Sequence, residues 1–341
     1  MKSIKEQIKD GDIGNLYLLY GQEPFLVRLN SNRLRKALLT EEDEMMNLDV
    51  VTKVTDLEAL KSSIETLPFF AERRVVILKE SGAFAKKSGF FEPLLDLFKN
   101  LPETTTVIFE ESEVDKRTKL YKAALKQGFV YEYNALDEAS LVKWVVGECR
   151  RRGVMMAPAD AALLASLCAA DMSKILSEVE KLCAFAKEKR QITRQDVLDL
   201  VSPSIEVKIF RLMDQLCRGN SAEAYESYQA LLSQNEKQER IFYMLVRQAH
   251  LLLRTSLYER PNEAVVSHDL GVRDFAAREY IREVRTYTPQ GVLRFAAKML
   301  ELDTKIKTGF IGVEEALDLV LLCYGDPRVT NSPKNVTFFR N

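Results

Sequence analysis

The chain has 341 residues, 46% of them hydrophobic and 29% charged, with a formal net charge of −1 and only 14 Gly and 10 Pro. This composition excludes a disordered or fibrous protein and allows two or three domains with a sizeable core. A near-zero charge exerts no whole-molecule pull on nucleic acid, so any contact with DNA or RNA must come from a local basic surface.

The first residues, MKSIKEQIKDGD, lack the apolar centre of a signal peptide, and no stretch reaches the length of a membrane span. A cytoplasmic location with no membrane partner is the expectation. Up to about residue 136, short β-type runs at 16–20, 48–52, 75–78, 104–109 and 129–133 alternate with helical patterns at 24–39, 56–66, 91–99 and 115–127. Such alternation predicts βαβ units and a mostly parallel sheet. Runs such as VVIL and TTTVIF are apolar or β-branched throughout, as in strands covered on both faces.

From Asp137 the pattern becomes wholly helical, with start signals at Asp137, at Asp160 or Pro158, and at Thr193. The break SPS at 202–204 opens a third region whose segments 205–218, 221–233, 237–258, 272–286, 290–307 and 313–324 again carry helical period. The divisions expected are thus 1–136, 137–203, 204–325 and an irregular tail at 326–341. The fold class is α/β plus all-α.

The junction NLYLLYGQEPFL, a strand followed by a turn and a helix start, stands where a nucleotide-binding protein keeps its phosphate loop. Phosphate binding there needs a glycine-rich turn, a lysine for the terminal phosphates and a hydroxyl for magnesium. Gly21 stands alone, and Gln22, Glu23, Pro24 and Phe25 follow it. Glu23 answers the positive helix end with the protein's own charge, so the turn is not expected to bind nucleotide. Glu110 and Glu111 end the strand TTTVIFEES, and without that lysine they read as a solvated acidic turn.

No other pattern builds a catalytic or metal site. SLVK at Ser140–Lys143 and KTG at Lys307–Gly309 sit within helical patterns and lack a third element. His250 and His268 have no neighbour suited to a general base, and the five cysteines lie far apart with no CxxC, as reduced buried thiols would. Arg150–Arg152, and Arg247 with Arg254 on one helix, could support direct nucleic-acid binding, although such runs are usually solvated faces.

The stretch least like ordinary core is LKSSIETLPFFAERRVVILKE, residues 60–80. A helix ends near Thr66, and Pro68 disfavours helical geometry at Leu67, which predicts a short kinked projection. Adjacent rings at Phe69 and Phe70 cannot both enter one core. Two readings stand: core residues capping the sheet edge, or an apolar plug for a partner's pocket.

Together, LYLLYGQEPFL, LPFFAERRVVIL, ILSEVEKLCAFA with ITRQDVLDLV, and ELDTKIKTGFIGVEEALDLVLL resemble the delta-subunit family of the bacterial DNA polymerase III clamp loader, in that order and up to about Tyr324. The resemblance implies an AAA+-like Rossmann-type sheet domain, a small helical lid and a C-terminal helical collar for oligomerisation. It implies that the phosphate loop at Gly21, Gln22 and Glu23 is degenerate and that gamma or tau neighbours hydrolyse the ATP. No cofactor and no catalytic site in this chain follow from it, and a polymerase (nucleotidyltransferase) classification would reflect holoenzyme membership. Implied partners are the beta sliding clamp, the gamma/tau and delta-prime subunits, and primer-template DNA within the assembled complex. The family's clamp-contacting pair falls on Phe69 and Phe70, flanked by Leu67 and Pro68. Phe69 stands where leucine also occurs in the family, and either residue keeps the plug apolar.

Overall fold

The computed structural model describes residues 2–54, 56–85 and 91–324, with the backbone alone at 91, 92, 323 and 324. The expected irregular tail at 326–341 and the side chain of Cys323 therefore lie outside the described residues. The chain divides into two compact units, 1–136 and 137–341.

In the first unit the elements run α1 (Ile4–Asp10), β1 (Leu16–Tyr20), α2 (Pro24–Leu38), α3 (Glu41–Asn47), β2 (Leu48–Thr52), α4 (Leu57–Glu65), β3 (Arg74–Lys79), α5 (Phe91–Lys99), β4 (Thr105–Glu111), α6 (Lys119–Gln127) and β5 (Phe129–Glu132). The five strands form one parallel sheet in the order β2-β3-β4-β1-β5. All five predicted strands are present within two residues at either end, because parallel strands buried on both faces carry unbroken apolar runs. The two-residue alternation divides those runs between two cores. Leu16, Leu18, Val76, Leu78, Val107 and Phe109 face one side with residues of α4, α5 and α6. Tyr17, Leu19, Val75, Ile77 and Ile108 face the other with Ile4, Val27 and Leu34. Helices α1 and α3, seven residues each, lie outside the expected set; a stretch that short holds too few turns to show a helical period.

The second unit contains α7 (Glu138–Arg151), β6 (Met155–Met156), α8 (Pro158–Leu167), α9 (Met172–Phe185), β7 (Gln191–Ile192) and α10 (Arg194–Leu200). The wholly helical expectation for 137–201 is corrected here. Strands β6 and β7 form a two-residue parallel bridge, Met155 to Gln191 and Met156 to Ile192, too short to leave a sequence signal. Helices α7, α8, α9 and α10 bury Val145, Cys149, Leu164, Ile175, Val179, Leu182 and Val197. The unit continues through α11 (Ile205–Arg218), α12 (Ser221–Ser233), α13 (Gln238–Ser256), α14 (Glu263–Leu270), α15 (Asp274–Thr286), α16 (Pro289–Lys307) and α17 (Val313–Tyr324). A large core gathers α11, α12, α13, α16 and α17 around Met213, Leu245, Leu252, Phe295 and Met299. Of these helices α14 alone lies outside the expected set; its eight residues bury Val266 alone.

Candidate functional site

Two places in the first unit could carry function, the turn after β1 and the loop between α4 and β3. At the turn, Gly21 has φ +132°, and a Cβ placed on it would lie 2.2 Å from the Tyr133 carbonyl oxygen. Glycine is required by that approach, not by a phosphate. Two of the turn's backbone donors are engaged within the protein: Gly21 N–H donates to the Glu111 carbonyl (3.2 Å) and Glu23 N–H to the Tyr133 carbonyl (3.0 Å). The buried Glu23 carboxylate accepts from Phe25 N–H (3.2 Å) and so caps α2. A helix start that binds phosphate leaves such donors facing outward. Here a carboxylate of the chain occupies that role.

The solvated acidic turn expected at Glu110 and Glu111 is corrected by the structure: both are buried. Glu111 Oε1 accepts from Ser81 N–H (3.1 Å) and from the Ser81 hydroxyl, and Glu110 pairs with Lys79 at 4.0 Å. Glu111 thus holds the turn after β3. Burial pushes its carboxyl up to about 7, partly offset by the Ser81 donors.

The α4–β3 loop is different. Leu67, Phe69 and Phe70 are 73%, 55% and 94% exposed, and Pro68 is half-buried. The Phe69 and Phe70 rings meet edge to face at 4.5 Å, which shields little of either from water. This cluster of exposed large apolar residues makes the loop the candidate interaction surface.

The exposed rings stand on a rigid base. The last carbonyls of α4, unsatisfied within the helix itself, are bonded elsewhere. The Ser62 carbonyl accepts from Thr66 N–H (3.0 Å) and Thr66 Oγ1 (2.6 Å), Ser63 from Arg74 Nε (2.8 Å) and Ile64 from Thr105 Oγ1 (2.9 Å). Leu60 and Ile64 anchor the same helix in the core. Arg74, itself buried, also donates to the Met46 carbonyl (3.0 Å) and to Asp49 Oδ2 (2.5 Å), tying the ends of α3, α4 and β2 to β3. Met45 and Met46 are exposed at the neighbouring end of α3. Phe70 has φ +53°, an unfavourable backbone for a bulky residue, which persists only where its surroundings impose it.

Of the remaining candidates, Ser140 lies in the first turn of α7, and Lys307 pairs with Asp303 (2.6 Å) as α16 ends. His250 is exposed on α13. Arg151 pairs with Glu148, and Arg152 with Glu148 (2.8 Å) and Glu180 (2.9 Å); Arg254 donates to the Asp269 carbonyl (3.2 Å). These arginines serve internal pairs. Burial pushes the Cys149 and Cys168 thiols up to about 12, which keeps them unreactive at neutral pH. Among the described residues no cluster could hold a metal ion, and no helix is long and apolar enough to cross a membrane.

Comparison with known proteins bears on the family and the fold. The family model described as DNA polymerase III, delta subunit matches residues 17–134, and a second model, for the C-terminal domain of the same family, matches 206–324. The chain is 27% identical over 328 residues to DNA polymerase III subunit delta of Bacillus subtilis, covering 93% of this chain and 94% of that one. The solved structure of the B. subtilis DNA clamp loader delta protein (YqeN) superposes with a TM-score of 0.76 at 25% identity, covering 94% of this chain and 97% of that one. Both halves of the chain, its fold and its length agree, and the chain belongs to the DNA polymerase III delta-subunit family of clamp-loader proteins.

Proposed function

We propose that this chain grips the ring-shaped beta sliding clamp through Leu67, Pro68, Phe69 and Phe70 and stabilises the ring in an opened form for loading onto primed DNA. The single observation behind this reading is the exposed Phe69–Phe70 pair on an anchored helix end. Burying one such ring in a preformed apolar pocket contributes about 1.5–3 kcal/mol. A loop already held in place loses little conformational freedom when it binds. Opening then requires only that the pair bind the opened ring better than the closed one. No bond is made or broken by this chain in that mechanism.

ATP is taken to act in the gamma/tau neighbours, since the N–H groups of Gly21, Glu23 and Phe25 are used internally. Within the second unit, 137–203 serves as the lid and 204–325 as the collar that meets the gamma/tau and delta-prime subunits. A stripe on α16 supports this: Leu293, Ala297 and Leu300, spaced to share one helix face, are all exposed. Primer-template DNA is met inside the assembled complex rather than by this chain alone.

The test is clamp binding by Phe69→Ala with Phe70→Ala, measured by surface plasmon resonance on immobilised beta clamp. Truncating hot-spot residues costs ~2 kcal/mol or more, so affinity should fall at least about thirtyfold with the thermal transition unchanged. Native affinity in the double variant would refute the reading.

A further inference from the structure

Asn47 ends α3 and is fully buried. A buried carboxamide is costly unless its polar atoms are bonded. Its bonds go to one place above all. Oδ1 accepts from Phe69 N–H at 2.6 Å, and Nδ2 donates to the Phe69 carbonyl at 2.9 Å. The second Nδ2 proton reaches the Asp43 carbonyl at 3.2 Å, inside α3. One side chain therefore engages both backbone polar groups of the first plug residue across a separation of 22 positions.

This arrangement carries a consequence for the rings. With Phe69 held at both backbone groups, the loop cannot turn to bury its side chain without breaking two bonds to a buried partner. The next residue, Phe70, takes the strained φ of +53° and is almost wholly exposed. That conformation directly follows the residue whose backbone Asn47 holds. The bond is specific in chemistry: an acceptor and a donor are needed on separate atoms side by side, which Asn offers and Asp, Ser or Ala does not.

We infer that Asn47 is the positioning residue of the plug, clamping the Phe69 backbone so that Phe69 and Phe70 are presented outward and ready to dock. The inference rests on the proposed clamp-gripping role of the pair. It adds the residue that makes the pair competent, located on a different element.

Full-length Asn47→Asp and Asn47→Ala are compared with the parent for binding to the bacterial beta clamp, alone and combined with Phe70→Ala. Asp retains the shape and one acceptor but removes the donor to the Phe69 carbonyl. Both single variants should bind roughly tenfold or more weakly, the scale set by losing a buried bonded pair. The loss should shrink when Phe70 is already Ala, because both changes act through the same rings. In the parent, hydrogen exchange should find the Phe69 amide protected within an otherwise fast-exchanging loop.

Native clamp affinity in a folded Asn47→Asp or Asn47→Ala chain overturns the inference, as does full additivity with Phe70→Ala or an unprotected Phe69 amide. The Phe69→Ala/Phe70→Ala chain separates the two ideas. If it binds natively, the plug itself is wrong; if it fails to bind while the Asn47 variants bind normally, only the role of Asn47 falls.

Discussion

Gly21 illustrates how a single position can imitate one function while serving another. A lone glycine after a buried strand resembles the remnant of a phosphate loop, yet a side chain there would meet the Tyr133 carbonyl at 2.2 Å. Gly21→Ala combines that clash with a backbone angle almost restricted to glycine, so it should destabilise the chain by on the order of 2 kcal/mol or more, as read by urea unfolding. Wild-type stability in that variant would show that the strand end relaxes freely. The aromatic pair stands out in the sequence because two adjacent rings after a proline cannot both enter one core, but the sequence leaves open whether they cap the sheet edge or face outward. Asn47 is not legible there: a polar residue closing a short acidic helix looks like surface, and only the fold brings it to Phe69.

At the scale of elements, the ends of strands and helices determine what the site presents. The α4 end is held by side chains from β3 and β4, so the loop after it starts from a fixed point. The β4 end turns inward, and Glu111 becomes a buried ligand of the Ser81 turn instead of a solvated acid. Burial holds its carboxyl at about 7, above the ordinary 4.5. Between those values the unfolded chain is ionised while the folded one keeps its proton, so unfolding releases a proton and stability falls as pH rises across that window. Glu111→Gln cannot ionise. Thermal melts should place it close to the parent near the lower value and above it beyond pH 7, and an equal gap at both ends would disprove the linkage. Acidic residues after a strand are usually solvated, which is why the sequence misleads here; the capture by Ser81 joins residues thirty positions apart.

Across the whole molecule, the chain divides into two compact units. The first is built on a layered parallel sheet, engages the Gly21 and Glu23 N–H groups of its first turn internally, and exposes Leu67, Phe69 and Phe70 at a helix end. The isolated chain should therefore give no saturable signal when titrated with a fluorescent ATP analogue, and a hyperbolic titration would overturn the assignment of ATP to neighbouring subunits. The second unit exposes apolar positions such as Leu293 and Leu300, and Phe310 just beyond α16, on which the proposed collar role rests.

What the sequence determined by itself follows from periodicity and local chemistry. Buried parallel strands write continuous apolar runs, long helices write a 3.6-residue repeat, and a phosphate loop without its lysine is visible as a gap in a short motif. The tertiary structure decided everything that depends on residues distant in the chain: the β6–β7 bridge, the inward turn of Glu110 and Glu111, and the exposure of Phe69 and Phe70 on a base made by Arg74, Thr105 and Asn47. The reason is physical. Burial and hydrogen-bond partners belong to the packed chain, and no local pattern records which carbonyl a side chain many positions away will meet.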